Sequence, residues 1–280
     1  MMGELLKMEF EKACRNVWFA LALVIGCVLA VYNALQYIPT DTFTPSPDKF
    51  YYPTSQGCVQ AWMSINTSSV ALLFYQILPL LAVAPYAWSF ASELKDGYIC
   101  QVYTRTARLR YVFAKYVATM CSAGLVAVVP QLLNFIVLAC LFPLYTPVIA
   151  DSMYLGIFGQ SIGSWLFYNV PLGYVALYCG IDFAMCGLWA GFTLSLSFLV
   201  RNRVALLVAP YAGLMVVQFV NERLFLALGG IRGIPLSFFE NLYGGAHMYA
   251  QNGWIILGEC VVLAVASIAI IATCWRRDPL

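Results

Sequence analysis

The amino-acid sequence predicts an all-α integral membrane protein with six transmembrane helices and both termini in the cytoplasm. Of its 280 residues 62% are hydrophobic and only 10% are charged, and the mean hydropathy is +0.80. In soluble domains about a quarter of the residues are charged. Residues 1–280 are therefore treated as a single transmembrane domain. A helix needs about 20 apolar residues to cross a bilayer, and suitable runs occur at 17–38, 69–90, 112–142, 171–200, 204–220 and 253–274.

The distribution of basic residues predicts which ends of these spans face the cytoplasm. Lys and Arg residues are concentrated in cytoplasmic segments that flank transmembrane helices. With both termini inside, only Lys49, Arg223 and Arg232 of the 15 Lys and Arg residues lie outside. The inverted orientation would place most of the basic residues on the wrong side. The outer loops are then 39–68, 143–170 and 221–252.

Residues 1–16 are interpreted as a helix that lies along the inner membrane surface before the first span. Leu6, Phe10, Ala13 and Val17 follow helical spacing and form one apolar stripe. Such a stripe beside charged residues is typical of an interfacial amphipathic helix. A cleaved signal sequence is the alternative, because basic residues precede an apolar run. The glutamates of this segment and the length of the apolar run favour the helix.

The fourth span carries two features on opposite faces. At about 100° per residue, a stripe of small residues occupies one face, as expected where another helix approaches closely. Asp182 lies about 180° away from this stripe. A carboxyl group should not face lipid, so both faces are expected to be covered. Glu259 is a second carboxyl inside a span. Both are candidates for the transport path, and structural hydrogen-bonded or protonated carboxyls are the alternative. The stripe consists of Gly173, Gly180, Ala184, Gly187 and Gly191.

The sequence has neither a nucleotide-binding motif nor a zinc-protease motif. It lacks Gly-x-x-x-x-Gly-Lys-Ser/Thr, so it has no phosphate-binding loop of that type. It also lacks His-Glu-x-x-His. His247 is the only histidine, and the cysteines lie mostly in apolar runs without metal-ligand spacing. We therefore expect neither an enzyme nor a cofactor or metal bound by this chain.

The segment 92–111 is a charged island between two apolar runs. Together with Lys115, which follows it closely, this segment holds five of the 15 Lys and Arg residues. The other four are Lys95, Arg105, Arg108 and Arg110. Clustering of this kind close to spanning helices marks the cytoplasmic side.

These features together carry a resemblance to a known family. The amphipathic run Leu5-Leu-Lys-Met-Glu-Phe-Glu-Lys12 leads into the first span, and Phe90-Ala-Ser-Glu-x-x-x-Gly97 with its following basic residues forms the inner loop. This layout resembles the permease subunit of ABC-2 type ABC transporters. Size and layout are most similar to the small six-span permeases of bacitracin and lantibiotic immunity.

The resemblance implies a partner and a site. In that family the N-terminal elbow helix and the inner loop dock on a separate ATPase subunit, which holds ATP and Mg. Residues 1–16 would be the elbow helix, 92–111 the coupling loop, and Glu93, Gly97, Arg105 and Arg108 the coupling residues. The complex would contain two ATPase chains and a second permease chain, identical or paralogous. It would export an amphipathic or hydrophobic peptide, drug or lipid across a bacterial cytoplasmic membrane.

Two other functions are compatible with the sequence. One is an ion-coupled secondary transporter in which Asp182 and Glu259 are the coupling groups. The other is a membrane scaffold that transports nothing. A gene for a nucleotide-binding chain beside this one would separate the exporter from both.

Overall fold

The computed structural model describes residues 2–36, 57–104, 106–144, 146–147, 157–200, 202–227, 237–245 and 250–275. Regular structure in these residues is helical throughout. The helices, in chain order, are α1 (Met2–Cys14), α2 (Val17–Gln36), α3 (Cys58–Ala61), α4 (Ser69–Val83), α5 (Ser89–Lys95), α6 (Tyr98–Tyr103), α7 (Arg108–Leu141), α8 (Ser164–Asn169), α9 (Pro171–Leu196), α10 (Arg203–Ala227), α11 (Phe238–Leu242) and α12 (Gly253–Trp275).

Five of these helices are long and apolar enough to cross a membrane: α2, α7, α9, α10 and α12. The protein is therefore an α-helical, multi-pass membrane protein by the length and composition of its helices. The second apolar run of the sequence, 69–90, differs from the others because it is not one continuous helix. Its regular part, α4, has 15 residues, a length of about 23 Å. The hydrocarbon core of a bilayer measures about 30 Å.

Proline explains where α4 ends. Pro85 has no backbone N–H group, so it cannot continue the hydrogen-bond pattern of the helix. A series of turns follows, in which the Ala87 amide still donates to the Val83 carbonyl at 3.3 Å. The carbonyl of Pro85 accepts a hydrogen bond from the Asn16 side chain at 2.8 Å, just before α2. The chain then re-enters a helix at Ser89 as α5.

The centre of the bundle is the contact between α7 and α9. At Gly187 of α9 a Cβ atom would lie 3.1 Å from the backbone oxygen of Met120, and at Gly191 it would lie 2.6 Å from the Tyr116 ring. Gly187 therefore allows the close approach of the two backbones, whereas a side chain at Gly191 would require the Tyr116 ring to move. In contrast, the described parts of the chain cover little of α10 and α12. Only 6% of the most apolar stretch of α10 and 11% of that of α12 is buried.

Short segments pack between the long helices at the end of the bundle away from α1. The Trp62 indole, after α3, donates to the Gln131 carbonyl of α7 at 3.1 Å. The Phe238 ring of α11 lies 5.6 Å from the Trp189 ring of α9. The predicted outer loops are thus partly folded back against the bundle. Their segments 39–56, 148–156, 228–236 and 246–249 lie outside the described residues.

Candidate functional site

The candidate site is the inner loop with α1, at what we name the α1 end of the bundle. The loop contains two short helices, α5 and α6, joined by a tight turn at Gly97. This glycine has φ of +72°, a backbone conformation that residues with a Cβ rarely adopt. Lys95, Asp96 and Tyr98 around the turn are exposed. The turn is therefore the most accessible part of the loop.

A buried lysine forms the centre of the site. Lys115, in the second turn of α7, is 1% exposed, and its Nζ lies 2.6 Å from Glu93 Oε2 on α5 and 3.4 Å from Glu9 Oε2 on α1. Glu9 is fully buried. Buried charges are stable in proteins only when they are paired and hydrogen-bonded. One ammonium group therefore joins three helices that are far apart in sequence.

Hydroxyl groups complete the coordination of these charges. The Tyr86 hydroxyl donates to Glu9 Oε2 at 2.7 Å, and the Tyr111 hydroxyl donates to Glu93 Oε2. Lys115 Nζ donates to the Ser89 hydroxyl at 3.2 Å and to the Tyr86 hydroxyl at 3.4 Å. A charge-assisted hydrogen bond is roughly twice as strong as a neutral one, so the arrangement is well satisfied.

Lys12 of α1 adds a second positive charge at the rim. Its Nζ lies 3.0 Å from Glu9 Oε1 and 3.9 Å from Glu93 Oε1. The cluster of Glu9, Lys12, Glu93 and Lys115, which we name the α1–α5–α7 cluster, thus combines two carboxylates with two ammonium groups. Its formal charge is zero, as expected for a buried ionic group.

The cluster shifts the pKa values of Glu9 and Lys12. Burial alone would raise the pKa of Glu9, but the charge of Lys115, the Tyr86 hydrogen bond and Lys12 outweigh it, so the pKa of Glu9 is lowered. Burial likewise opposes the charge on Lys12, but Glu9 and Glu93 outweigh it and raise the pKa of Lys12. Both groups are therefore held in their charged forms.

The loop is also attached to α9 and α10. The Phe90 ring of α5 lies 4.2 Å from the Phe198 ring, just after α9. Arg203, the first residue of α10, donates from Nη2 to the Ser92 hydroxyl at 2.5 Å, and its guanidinium lies 4.9 Å from the centre of the Trp88 ring. Arg203 therefore attaches the start of α10 to the inner loop.

A groove runs between α1 and α6 beside the exposed turn. Its volume is about 570 Å³, and a neighbouring recess of about 310 Å³ shares Leu5 and Met8 with it. The groove has apolar walls with a polar rim on the α6 side. The groove is lined by Leu5, Met8, Tyr98, Gln101, Val102, Thr104 and Thr106.

The residues predicted to couple to an ATPase occupy different places. Glu93 belongs to the buried cluster, whereas Gly97 forms the exposed turn. Arg108, at the start of α7, has its guanidinium 5.5 Å from the centre of the Tyr103 ring. Arg105 lies outside the described residues.

Sequence reasoning missed four members of the site. In the sequence Glu9 counts only among the glutamates that disfavour a signal sequence, yet it is buried, whereas Phe10 of the apolar stripe is 39% exposed. Lys115 counts in the sequence only as a basic residue on the cytoplasmic side. Its position inside the apolar run 112–142 was the signal that it has a buried partner of opposite charge. Tyr86 and Tyr111 gave no signal of their own.

The two carboxyls predicted for the transport path have separate partners. Asp182, fully buried in α9, accepts a hydrogen bond from the Gln131 side chain of α7 at 2.5 Å. Glu259 of α12 lies beside Asn241 of α11. The described contacts do not join the two carboxyls in one site.

The small-residue stripe of α9 is divided along its length. Gly187 and Gly191 face α7, as described above, whereas Gly173 lies against Leu166 of α8. Gly180 and Ala184 are exposed, and no atom lies within 4 Å of a Cβ placed at Gly180. The stripe therefore does not form one continuous groove for a single neighbouring helix of this chain.

The described residues contain no group of three or more His, Cys, Asp or Glu side chains arranged to hold a metal ion. No model of a known protein family, no curated protein and no solved structure matches this chain.

Proposed function

We propose that this protein is the membrane-spanning permease subunit of an ATP-driven exporter of the ABC-2 type, whose ATPase is a separate chain. The multi-pass architecture supports a transport role. The sequence has no phosphate-binding loop, so an ATP-driven exporter built from this chain takes its energy from a separate ATPase chain. The exposed α5–α6 turn and the α1–α6 groove provide the surface on which that chain would dock.

One observation carries the proposal: the α1–α5–α7 cluster connects α1, the proposed elbow helix, to the proposed coupling loop through Lys115. A surface that only docks a partner needs no buried ionic connection to the membrane helices. Such a connection suits a surface that transmits movement, because coupling can travel through packed side chains and ionic networks. A shift of α5 would act on α7 and α1 through Lys115 and on α10 through Arg203.

In this proposal the chain crosses the membrane six times, with both termini in the cytoplasm. The sixth crossing is made by α4 together with the turns that follow it. The exposed faces of α10 and α12 meet lipid and a second permease chain. The cargo is amphipathic or hydrophobic, such as a peptide, drug or lipid, since the long helices are apolar on most of their surface.

The alternative functions have weaker support. An ion-coupled transporter would use Asp182 and Glu259 together, but the two carboxyls have different partners on different helices. In a scaffold without transport activity the buried connection between α1, α5 and α7 would serve stability alone.

Docking can be tested at Gln101, which is exposed on α6 and lines the groove. The permease is co-expressed with the nucleotide-binding chain encoded beside it and purified through a tag on the permease. The wild type should retain the ATPase in equal copy number, whereas Gln101→Arg should release it. Asn169→Arg, the same gain of charge at an exposed position at the other end of the bundle, is the control and should retain it. Equal retention by both variants would contradict docking on this surface.

A further inference from the structure

Asp182 is buried near the middle of α9 and is not neutralised by any basic residue that the structure describes. Its side chain has no exposure to solvent. Gln131 donates to Oδ2 at 2.5 Å, while Oδ1 has no hydrogen-bond partner among the described residues. None of the ion pairs in the described part of the chain includes Asp182. The carboxyl therefore has one hydrogen bond of ordinary geometry and no counter-charge among the described residues.

The groups around Asp182 come from three helices. From α7 it faces Gln131, and from α4 it faces the Tyr75 hydroxyl, which is also buried and without a hydrogen-bond partner in the described structure. From α9 itself the nearest titratable groups are Tyr178, Cys179 and Cys186. These groups are neutral at pH 7 in their ordinary forms. Behind Tyr75 lies Tyr243, with ring centres 5.2 Å apart.

An ionised carboxylate cannot remain in such surroundings without a cation. A lone charge in an apolar interior is so unfavourable that the group neutralises instead. Since the described residues around Asp182 include no basic side chain, its charge is neutralised by a proton or by a bound metal cation. A metal cation of ordinary size needs several oxygen ligands around it, whereas a proton needs only the carboxyl oxygen that carries it.

We propose that Asp182 is a proton-binding site inside the membrane domain, and that it holds its proton at neutral pH. The proton is taken from water, an O–H bond forms at Oδ1, and the product is a neutral carboxylic acid that accepts the Gln131 hydrogen bond at Oδ2. Because the Asp182 side chain has no exposure to solvent, exchange of the proton requires neighbouring side chains to move. The inference does not depend on the energy source of transport.

Infrared spectroscopy of the purified full chain in lipid vesicles tests this proposal. The wild type at pH 7 should show the carbonyl band of a protonated carboxylic acid that shifts in heavy water. Asp182→Asn, which replaces the acid by an amide of nearly the same shape, should remove that band. Glu259→Gln is the matched control and should leave this component in place. Wild-type and Asp182→Asn spectra that coincide in the carboxylic-acid region would overturn the proposal.

Two further measurements keep the result unambiguous. Gln131→Ala removes the hydrogen bond to the acid and should shift the frequency of the same band, which provides an assignment even if Asp182→Asn does not fold. The spectrum should be the same in sodium, potassium and choline salts. A band that appears only in choline would show that Asp182 binds a metal cation, and an unchanged frequency in Gln131→Ala would show that the band belongs to another acid. Either outcome overturns the proposal.

Discussion

Lys115 Nζ lies 2.6 Å from Glu93 Oε2, so a residue inside the apolar run of α7 is bonded directly to the inner loop. The same ammonium group lies 3.4 Å from Glu9 Oε2 of α1. Because Lys115 is 1% exposed, water cannot replace either partner. The loop, the N-terminal helix and a spanning helix are therefore one ionic unit, on which the following predictions depend.

Replacing Lys115 by methionine should destabilise the protein severely. The change leaves the Glu9 carboxylate buried without its main counter-charge, which costs about 3–5 kcal/mol. The double variant Glu9→Gln with Lys115→Met removes both charges and should recover most of this loss. Thermal unfolding of the purified chain measures the effect. Lys95→Met, an exposed lysine on the same loop, is the control and should change stability by less than about 0.5 kcal/mol. Equal losses for Lys115→Met and Lys95→Met would contradict a buried ionic unit.

Acid should weaken the attachment of α1. The pKa of Glu9 is lower in the folded protein than its ordinary value. Its contribution to stability is therefore present above the ordinary carboxyl pKa and is lost as the pH falls through the lowered value. The unfolding midpoint of the wild type should fall across this acidic range, and Glu9→Gln should show a shallower fall. An identical pH dependence in both proteins would show that Glu9 is not held as a carboxylate.

Gly97→Ala should strain the turn between α5 and α6. The left-handed conformation costs a residue with a Cβ roughly 1–2 kcal/mol, although the space around Gly97 is open. The turn should lose its defined conformation. ATP hydrolysis by the docked partner should then no longer be coupled to transport. The control is Gly213→Ala in α10, where nothing lies within 4 Å of the Cβ and the substitution favours the helix by up to about 1 kcal/mol. Normal coupling in both variants would contradict a defined turn at Gly97.

The division of the small-residue stripe predicts opposite outcomes for two glycines of α9. Gly187→Leu should force α7 and α9 apart, since a Cβ already lies 3.1 Å from the Met120 backbone oxygen. Overpacking of this kind costs typically about 1–3 kcal/mol. Gly180→Leu places its Cβ where no atom of the same chain lies within 4 Å and should leave monomer stability unchanged. A comparison of unfolding temperatures in detergent distinguishes the two positions, and equal effects would contradict the packing described here.

Reporter fusions test the orientation of the chain. Reporters placed after Leu280 and within 104–108 should be cytoplasmic, because most basic residues lie on that side. A reporter within 42–49 should be external. An external signal from 104–108 would contradict the proposed topology and with it the docking of an ATPase on the loop.

The sequence predicted the helical class and five of the spans because long apolar runs are local signals. It did not predict the break after α4, since prolines inside spanning helices are often tolerated and only tertiary contacts decide the outcome. It identified the loop around Glu93 from its charge. It did not identify Glu9 as the partner of Lys115, because the two residues meet only when α1 packs against α7. The division of the stripe in α9 likewise depends on which neighbours the fold provides.

The most direct test of the central claim compares transport with and without the ATPase. Permease reconstituted in vesicles with its nucleotide-binding partner should hydrolyse ATP and accumulate a fluorescent hydrophobic peptide or lipid only when ATP is present. Gln101→Arg should abolish this transport, while Asn169→Arg should retain it. Transport that continues without any ATPase and stops when the proton or sodium gradient is removed would contradict an ATP-driven exporter and would favour an ion-coupled transporter.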